Sequence, residues 1–373
     1  MDAAVRVLVL GGYGHFGARI VRALSDGPGI HVIAAGRHPD MARTVLSPQV
    51  LARITCARVD TRAQDLAAQL RATGAQLVVH TAGPFQGQGY EVAHACLQAG
   101  MHYIDLADGR DFVRDFPARL DAAARAAGRS AITGASTLPA LSSAVVDALR
   151  PQFTELHEIA TVIAPAQATP LGMATVRAVL SYCGQPFPCW RDGRWQPTRG
   201  WADPQPVRFA RLAPRLASPC DVPDHDLLVQ RYPGARSVQF RAALELPFLQ
   251  RCLAAIAGLR AGGVPLPMAA LARVFARAGR WFDRFGTDRG GMLVELRGLR
   301  DGSDQALRWE LTAPMLHGPE IPCFAAVLLA RRFARGEALP TGAHACVGLI
   351  NLNEFEQEFA AWQIQTSVSA VRA

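Results

Sequence analysis

The chain has 373 residues, half of them apolar and few aromatic, with a formal net charge of +8 and a pI near 9.4. That length allows two domains, each with its own core, and the composition fits a soluble α/β protein. All 39 basic residues are arginine, a bias that reflects genome composition; apart from one stripe they are scattered and not interleaved with stacking aromatics, which argues against a nucleic-acid partner. The eight cysteines (56, 96, 183, 189, 220, 252, 323 and 346) show neither C-x-x-C nor paired spacing, the pattern of a reducing compartment without zinc. Cys96 and Cys346 lie in apolar runs and read as core. No charge-free apolar run reaches the roughly 18 residues of a membrane span, and the first strand begins too early to leave room for a signal peptide. The expected location is cytoplasmic.

In chain order, Arg6 to Leu10 reads as a first strand and runs into Gly11-Gly12-Tyr13-Gly14-His15-Phe16-Gly17. A helix follows at about 15–25, then a second strand from His31 to Ala35. Gly12-x-Gly14-x-x-Gly17 between strand and helix is the pattern of a dinucleotide's pyrophosphate site. Gly12 is expected to allow the tight turn, Gly14 the close approach of phosphate, and Gly17 the packing of helix on strand. The helix N-terminus then offers N–H groups and a positive dipole end. Further strands are expected near Ala57 to Val59, from Gln76 to His80, from His102 to Leu106 and from Ser130 to Thr133, with helices at 65–72, 89–99 and 112–127. This rhythm predicts a Rossmann-type, doubly wound parallel sheet with ligands at the carboxyl ends of its strands.

After Leu149 the texture changes. Residues 155–164 and 236–246 read as strands, and 184–235, rich in Pro, Trp and Arg, as loop or poorly regular structure. Residues 290–299 and 304–313, joined by Asp301-Gly302, read as a β-hairpin. Helices are expected from Pro322 to about 335 and from Asn353 to about Ala361. From Pro267 a helix places Leu271, Phe275, Ala278, Phe282 and Phe285 on one face and Arg273, Arg277, Arg280 and Arg284 on the other. It reads as a solvated surface helix, with peripheral contact of 267–285 to a membrane or partner as the alternative. The expected division is 1–149, dinucleotide-binding; 150–320, an α+β substrate and dimerisation domain; and 321–373, returning to pack on the first.

The second strand ends in Gly36-Arg37-His38, with no acid until Asp40. An NAD site usually has Asp or Glu there for the ribose hydroxyls, whereas a guanidinium suits the 2′-phosphate, so Arg37 points to NADP(H). Arg19 could add a second positive charge, and Asp60 could reach the adenine edge or simply cap a helix. Thr81-Ala82-Gly83-Pro84 ends the fourth strand, where the nicotinamide half should lie. Asp105, His80 and Tyr90 are the candidate acids and bases; a loop-bracing Asp, a core His and a packing Tyr are the plainer alternatives. Ser136, Thr137 and Thr175 are candidate contacts for a substrate carboxylate, with Arg110 and Arg177 possible partners on charge alone.

Together, Gly12-x-Gly14-x-x-Gly17, Thr81-Ala82-Gly83-Pro84-Phe85, Ala95-Cys96-Leu97-x-Ala99-Gly100-x-His102-Tyr103-Ile104-Asp105-Leu106 and Gly134-Ala135-Ser136-Thr137-Leu138-Pro139-Ala140-Leu141-Ser142 resemble the saccharopine dehydrogenase-like NADP-binding family. Gly342-x-x-x-Cys346-Val347-Gly348-Leu349 resembles the ending of family members of this size. The resemblance covers residues 5–145 well and leaves 180–290 unassigned. It implies a Rossmann domain, an α+β substrate domain whose sheet often forms a homodimer, and hydride chemistry on a small molecule at a C=N or C–N bond. One departure is His80, which stands where relatives often carry Asn. A non-catalytic dinucleotide-binding protein, or a membrane-surface reductase of a lipid-like substrate, are the rival readings.

Overall fold

The computed structural model describes residues 4–169 and 172–371, excepting the side chains of 174, 175, 178, 269, 270, 276 and 278. The chain divides into two units, one formed by residues 1–141 and 320–350, the other by 142–319 and 351–373.

The first unit is built on seven parallel strands. These are β1 (Val5–Leu10), β2 (Ile30–Gly36), β3 (Thr55–Arg58), β4 (Leu77–His80), β5 (His102–Asp105), β6 (Ser130–Thr133) and β15 (Gly342–Ala345), in the order β15-β6-β5-β4-β1-β2-β3. Val7 to Leu10 and Val32 to Ala35 are wholly buried because helices cover both faces, and this is why these strands read as continuous apolar runs. The helix Gly17–Ser25 buries Ala18, Ile20, Val21 and Leu24 against them. The order outward from β1 is that of a Rossmann-type sheet, which reverses direction between β1 and β4. The edge strand β15 was not expected: its sequence, Gly-Ala-His-Ala, has no β-branched or large apolar residue to signal it. Cys96 and Cys346 are buried, as anticipated, and all eight cysteines are free thiols.

The second unit holds a mixed sheet of nine strands. They are β7 (Glu155–Ala164), β8 (Pro186–Arg191), β9 (Arg194–Arg199), β10 (Gln205–Val207), β11 (Arg215–Pro219), β12 (Ser237–Leu244), β13 (Gly290–Arg300), β14 (Ser303–Ala313) and β16 (Gln365–Ala370). The order runs β10-β11-β12-β7-β13-β14-β16, with β8 joining β12 to β9. β13 and β14 form the expected hairpin; Asp301 and Gly302 take φ of 52° and 80° at its turn. The expectation of irregular structure over 184–235 is overturned. Four strands and the helix Asp224–Arg231 lie there. Asp192-Gly193 turns β8 into β9 with φ of 51° and 73°, and Trp190 faces Trp195 across the pair at 5.2 Å. Its prolines are tolerated because this hairpin lies off the main sheet path. The helix expected from Pro267 spans Met268–Trp281 and is preceded by another, Pro247–Ala261. Phe285 lies beyond it in a short turn, 61% exposed, and so does not share the helical face assigned to it; the side chain of Ala278 is outside the described residues.

Candidate functional site

The glycine turn after β1 shows why each small residue stands where it does. Gly11 takes φ of +83°, a backbone conformation open to glycine at little cost. The left-handed residue is therefore Gly11, not Gly12, to which the tight turn had been assigned. The N–H groups of Gly11 and Gly12 both donate to the Ala35 carbonyl, at 2.8 and 3.2 Å, and pin the turn to β2. Gly12 is required because a Cβ would sit 2.9 Å from Ala34 Cα. At Gly17 a Cβ would run into the Gly11 carbonyl and lie 2.7 Å from Thr81 Oγ1. Gly14 is different: its Cβ would meet only the Gly11 carbonyl oxygen, at 3.1 Å. The helix Gly17–Ser25 has no side-chain cap at Phe16, and the N–H groups of His15, Phe16 and Gly17 have no hydrogen-bond partner among the described residues. Such a terminus suits an anion. Burial pushes the His15 imidazole down to about 4, with neighbouring Arg19 adding to the effect, so the ring is neutral near pH 7.

At the far end of β2, Arg37 is exposed and makes no ion pair with another described residue. The Tyr13 ring lies on Gly36, where a Cβ would stand 2.7 Å from Tyr13 Cζ, and its hydroxyl accepts the His38 N–H at 3.1 Å. Strand register sets Arg58 opposite Gly36, a cation the sequence reading had not singled out. Arg19, proposed there for a second charge, is used elsewhere: it ion-pairs Glu320 at 2.8 Å and donates to the His15 carbonyl at 2.5 Å. Asp60 Oδ1 accepts the Arg62 N–H at 3.1 Å, and Asp60 N–H donates to Gln69 Oε1 at 3.0 Å, so Asp60 closes a turn. On the other side, Thr81 Oγ1 donates to the Leu10 carbonyl at 2.9 Å and brings the loop after β4 against the glycine turn. Gly83–Pro84 is cis, and Gln88 Nε2 donates to the Ala82 carbonyl at 3.1 Å and to the Pro84 carbonyl.

Two of the three candidate acids and bases meet in one buried cluster. Register pairs His80 with Asp105 at the ends of β4 and β5. His80 Nδ1 lies 3.0 Å from Tyr103 Oη. Asp105 Oδ1 accepts from Ala107 N–H (2.9 Å), Thr133 Oγ1 (2.8 Å) and Gly134 N–H (2.9 Å), while Oδ2 is buried without a protein partner. Asp105 thus braces the loops after β5 and β6. Tyr90, by contrast, donates its hydroxyl to the Phe112 carbonyl at 3.0 Å and packs on Phe112 and Phe116. Thr133 was missed, because strand register brings it to Asp105, whereas Tyr103 lies two residues before Asp105 on the same strand. Ser136 is buried in the loop after β6, Thr137 is half-buried, and the side chain of Thr175 lies outside the described residues. The Leu138–Pro139 bond is cis, and the α-helix that follows begins at Ser142. Arg110 is buried, and Arg177 is exposed.

The cluster's titration gives a test. Burial pushes the Asp105 carboxyl up to about 6 and the His80 imidazole down to about 4. A raised carboxyl stabilises the fold below its unfolded value near 3.9 and loses that contribution as pH rises through about 6; a lowered imidazole contributes above about 6.5 and loses it as pH falls through about 4. Over that window the two slopes oppose. Asp105→Asn removes one of them, so urea unfolding should show the variant losing about 2 kcal/mol more than the parent between roughly pH 6.5 and 4.5. Parallel pH curves would show that Asp105 titrates as an ordinary carboxylate.

Residues 7–132 match the family model described as saccharopine dehydrogenase NADP binding domain. Among solved structures, saccharopine dehydrogenase (L-Glu forming) from Saccharomyces cerevisiae is similar with a TM-score of 0.68 and 12% identity, over 99% of this chain and 100% of that one. Amine dehydrogenase from Mycobacterium smegmatis gives 0.49 and 12%, over 93% and 96%. At such identities the likeness is one of fold. No curated protein sequence matches the chain. Among the described residues no helix is long and apolar enough to cross a membrane, and no group of side chains has the make-up of a metal site. Residues 7–132 are thus similar to the NADP-binding domain of saccharopine dehydrogenases, and the protein is an NADP-dependent oxidoreductase.

Proposed function

We propose that the protein transfers hydride at a C=N or C–N bond of a small imine or secondary amine bearing carboxylates. The observation that carries the cofactor half of this reading is the uncapped helix terminus at Gly17, open in front of Gly14 and followed by the unpaired Arg37 of β2. In this reading the N–H groups of His15, Phe16 and Gly17 hold the pyrophosphate. Arg37, with Arg58 beside it, holds the 2′-phosphate, and Tyr13 and Asp60 border the adenosine. Thr81, Ala82, Gly83 and Pro84 carry the nicotinamide end. The bound cofactor supplies or accepts hydride at its nicotinamide ring. The substrate half rests on the family and on the fold shared with saccharopine dehydrogenase.

Asp105 and His80 are buried too deeply to touch substrate. They act by position: Asp105 fixes the loops after β5 and β6, and His80 and Tyr103 fill the space beneath the loop after β4. Ser136 and Thr137, on the loop that Asp105 holds, are the proposed contacts to a substrate carboxylate. A homodimer in the cytoplasm is the expected setting. The reading is tested by following NADPH oxidation with α-keto acids and amines supplied together. Turnover that requires both supports it; tight NADPH binding without turnover on any such pair would make the protein a non-catalytic binder.

A further inference from the structure

Residues 247–286 of the second unit carry six arginines (251, 260, 273, 277, 280 and 284) and one acid, Asp283. Asp283 is already bonded to Gln167 Nε2 at 3.1 Å. Arg251, Arg273, Arg277 and Arg280 are exposed and make no ion pair with another described residue. The same segment holds six of the twelve large apolar side chains exposed among the described residues: Phe248, Leu259, Val264, Val274, Trp281 (77% exposed) and Phe285. Its phenylalanines adjoin. Phe248 meets Phe282 at 4.9 Å, Phe282 meets Phe285 at 6.4 Å, and the Arg284 guanidinium lies 4.8 Å from the Phe285 ring centre.

Helical spacing puts these two chemistries on one face. Along the helix 268–281, Ala272 is buried and Leu271 and Phe275 are half-buried, whereas Arg273, Val274, Arg277, Arg280 and Trp281 are all exposed. Arg277 stands between the apolar pair Val274 and Trp281 and its neighbours Arg273 and Arg280. A merely solvated face would not expose a tryptophan at 77% and a phenylalanine at 61% within five residues of each other. A second copy of this chain would set arginine against arginine, and protein interface cores are depleted of charge. Tryptophan with arginine on a short helix suits the headgroup layer of a bilayer, where the ring sits at the boundary and the guanidinium reaches phosphate.

We propose that the face made by helices 247–261 and 268–281 and the turn at 283–285 docks the protein on an anionic lipid surface. Trp281, Phe285, Val274 and Phe248 enter the headgroup layer, and Arg273, Arg277, Arg280 and Arg284 engage lipid phosphates. The inference is independent of the cofactor reading, because NADPH binding is measured on the other unit.

The test is co-sedimentation of the full chain with vesicles of phosphatidylcholine, alone or mixed with phosphatidylglycerol. The parent should bind the mixed vesicles and not the neutral ones. Arg277→Gln with Arg280→Gln should weaken that binding by at least about tenfold, and Trp281→Ser with Phe285→Ser by a similar factor. Arg194→Gln with Arg236→Gln removes the same charge elsewhere on the second unit and should change binding by less than about twofold. Unchanged circular dichroism establishes that each variant is folded. No binding by the parent, or an equal loss in the Arg194 and Arg236 variant, overturns the proposal. So does a dimer that dissociates on Trp281→Ser, which would make the face a contact between copies.

Discussion

Gly14→Val should leave the fold standing and abolish NADPH binding, whereas Gly17→Val should unfold the first unit. Both glycines belong to one motif, yet they face different surroundings. A Cβ at Gly14 touches only the Gly11 carbonyl oxygen, at 3.1 Å, and its backbone does not take a positive φ. The folded chain can absorb that side chain at a cost of about 1 kcal/mol. In the proposed binding mode, that side chain fills the approach of the phosphates to the N–H groups of His15, Phe16 and Gly17. Affinity should fall at least about a hundredfold, the loss of roughly 3 kcal/mol of charge-assisted hydrogen bonds. At Gly17 the Cβ strikes the backbone of Gly11 and the anchored hydroxyl of Thr81, and neither can yield without breaking the turn. That substitution should cost more than about 4 kcal/mol. Scanning calorimetry with NADPH titration separates the two outcomes. Retained affinity in Gly14→Val would place the phosphates elsewhere.

Arg37→Asp should weaken NADPH by about a hundredfold and NADH by no more than a few-fold. The exposed Arg37 makes no ion pair with another described residue and directly follows Gly36, on which the Tyr13 ring lies. Facing a 2′-phosphate it makes charge-assisted bonds of roughly 2–3 kcal/mol; a carboxylate in its place repels that phosphate and instead accepts the ribose hydroxyls of NADH. Fluorescence titration of both reduced cofactors checks the ratio. An equal loss for the two would remove Arg37 from the 2′-phosphate and shift attention to Arg58.

The parts of the fold legible from sequence were those carried by local chemistry. Strands buried on both faces read as apolar runs, as β1 and β2 did, and the glycine turn marked the step from β1 into its helix. Asp301-Gly302 announced the hairpin of β13 and β14. Asp192-Gly193 carried the same signal for β8 and β9, but prolines and tryptophans masked the alternation around it. β15 and β16 were missed because these edge strands, Gly-Ala-His-Ala and Gln-Thr-Ser-Val-Ser-Ala, carry almost no large apolar residues to signal them.

The glycine turn from Gly11 to Gly17 was legible because one short segment contains it, and its conformation is local. The partners of Asp105 were not. Thr133 and Gly134 stand 28 and 29 residues away and are brought to it by strand register. Arg19 was misassigned for the same reason: its partner Glu320 lies in a remote part of the chain that returns to the first unit.

The central claim is that the turn from Gly11 to Gly17 and the guanidinium of Arg37 bind NADP(H). Isothermal titration of the folded chain with NADPH and then NADH tests it most directly. A one-to-one heat for NADPH, with affinity at least about tenfold tighter than for NADH, is the expected result. Folded protein that gives no binding heat with either cofactor, reduced or oxidised, would contradict it.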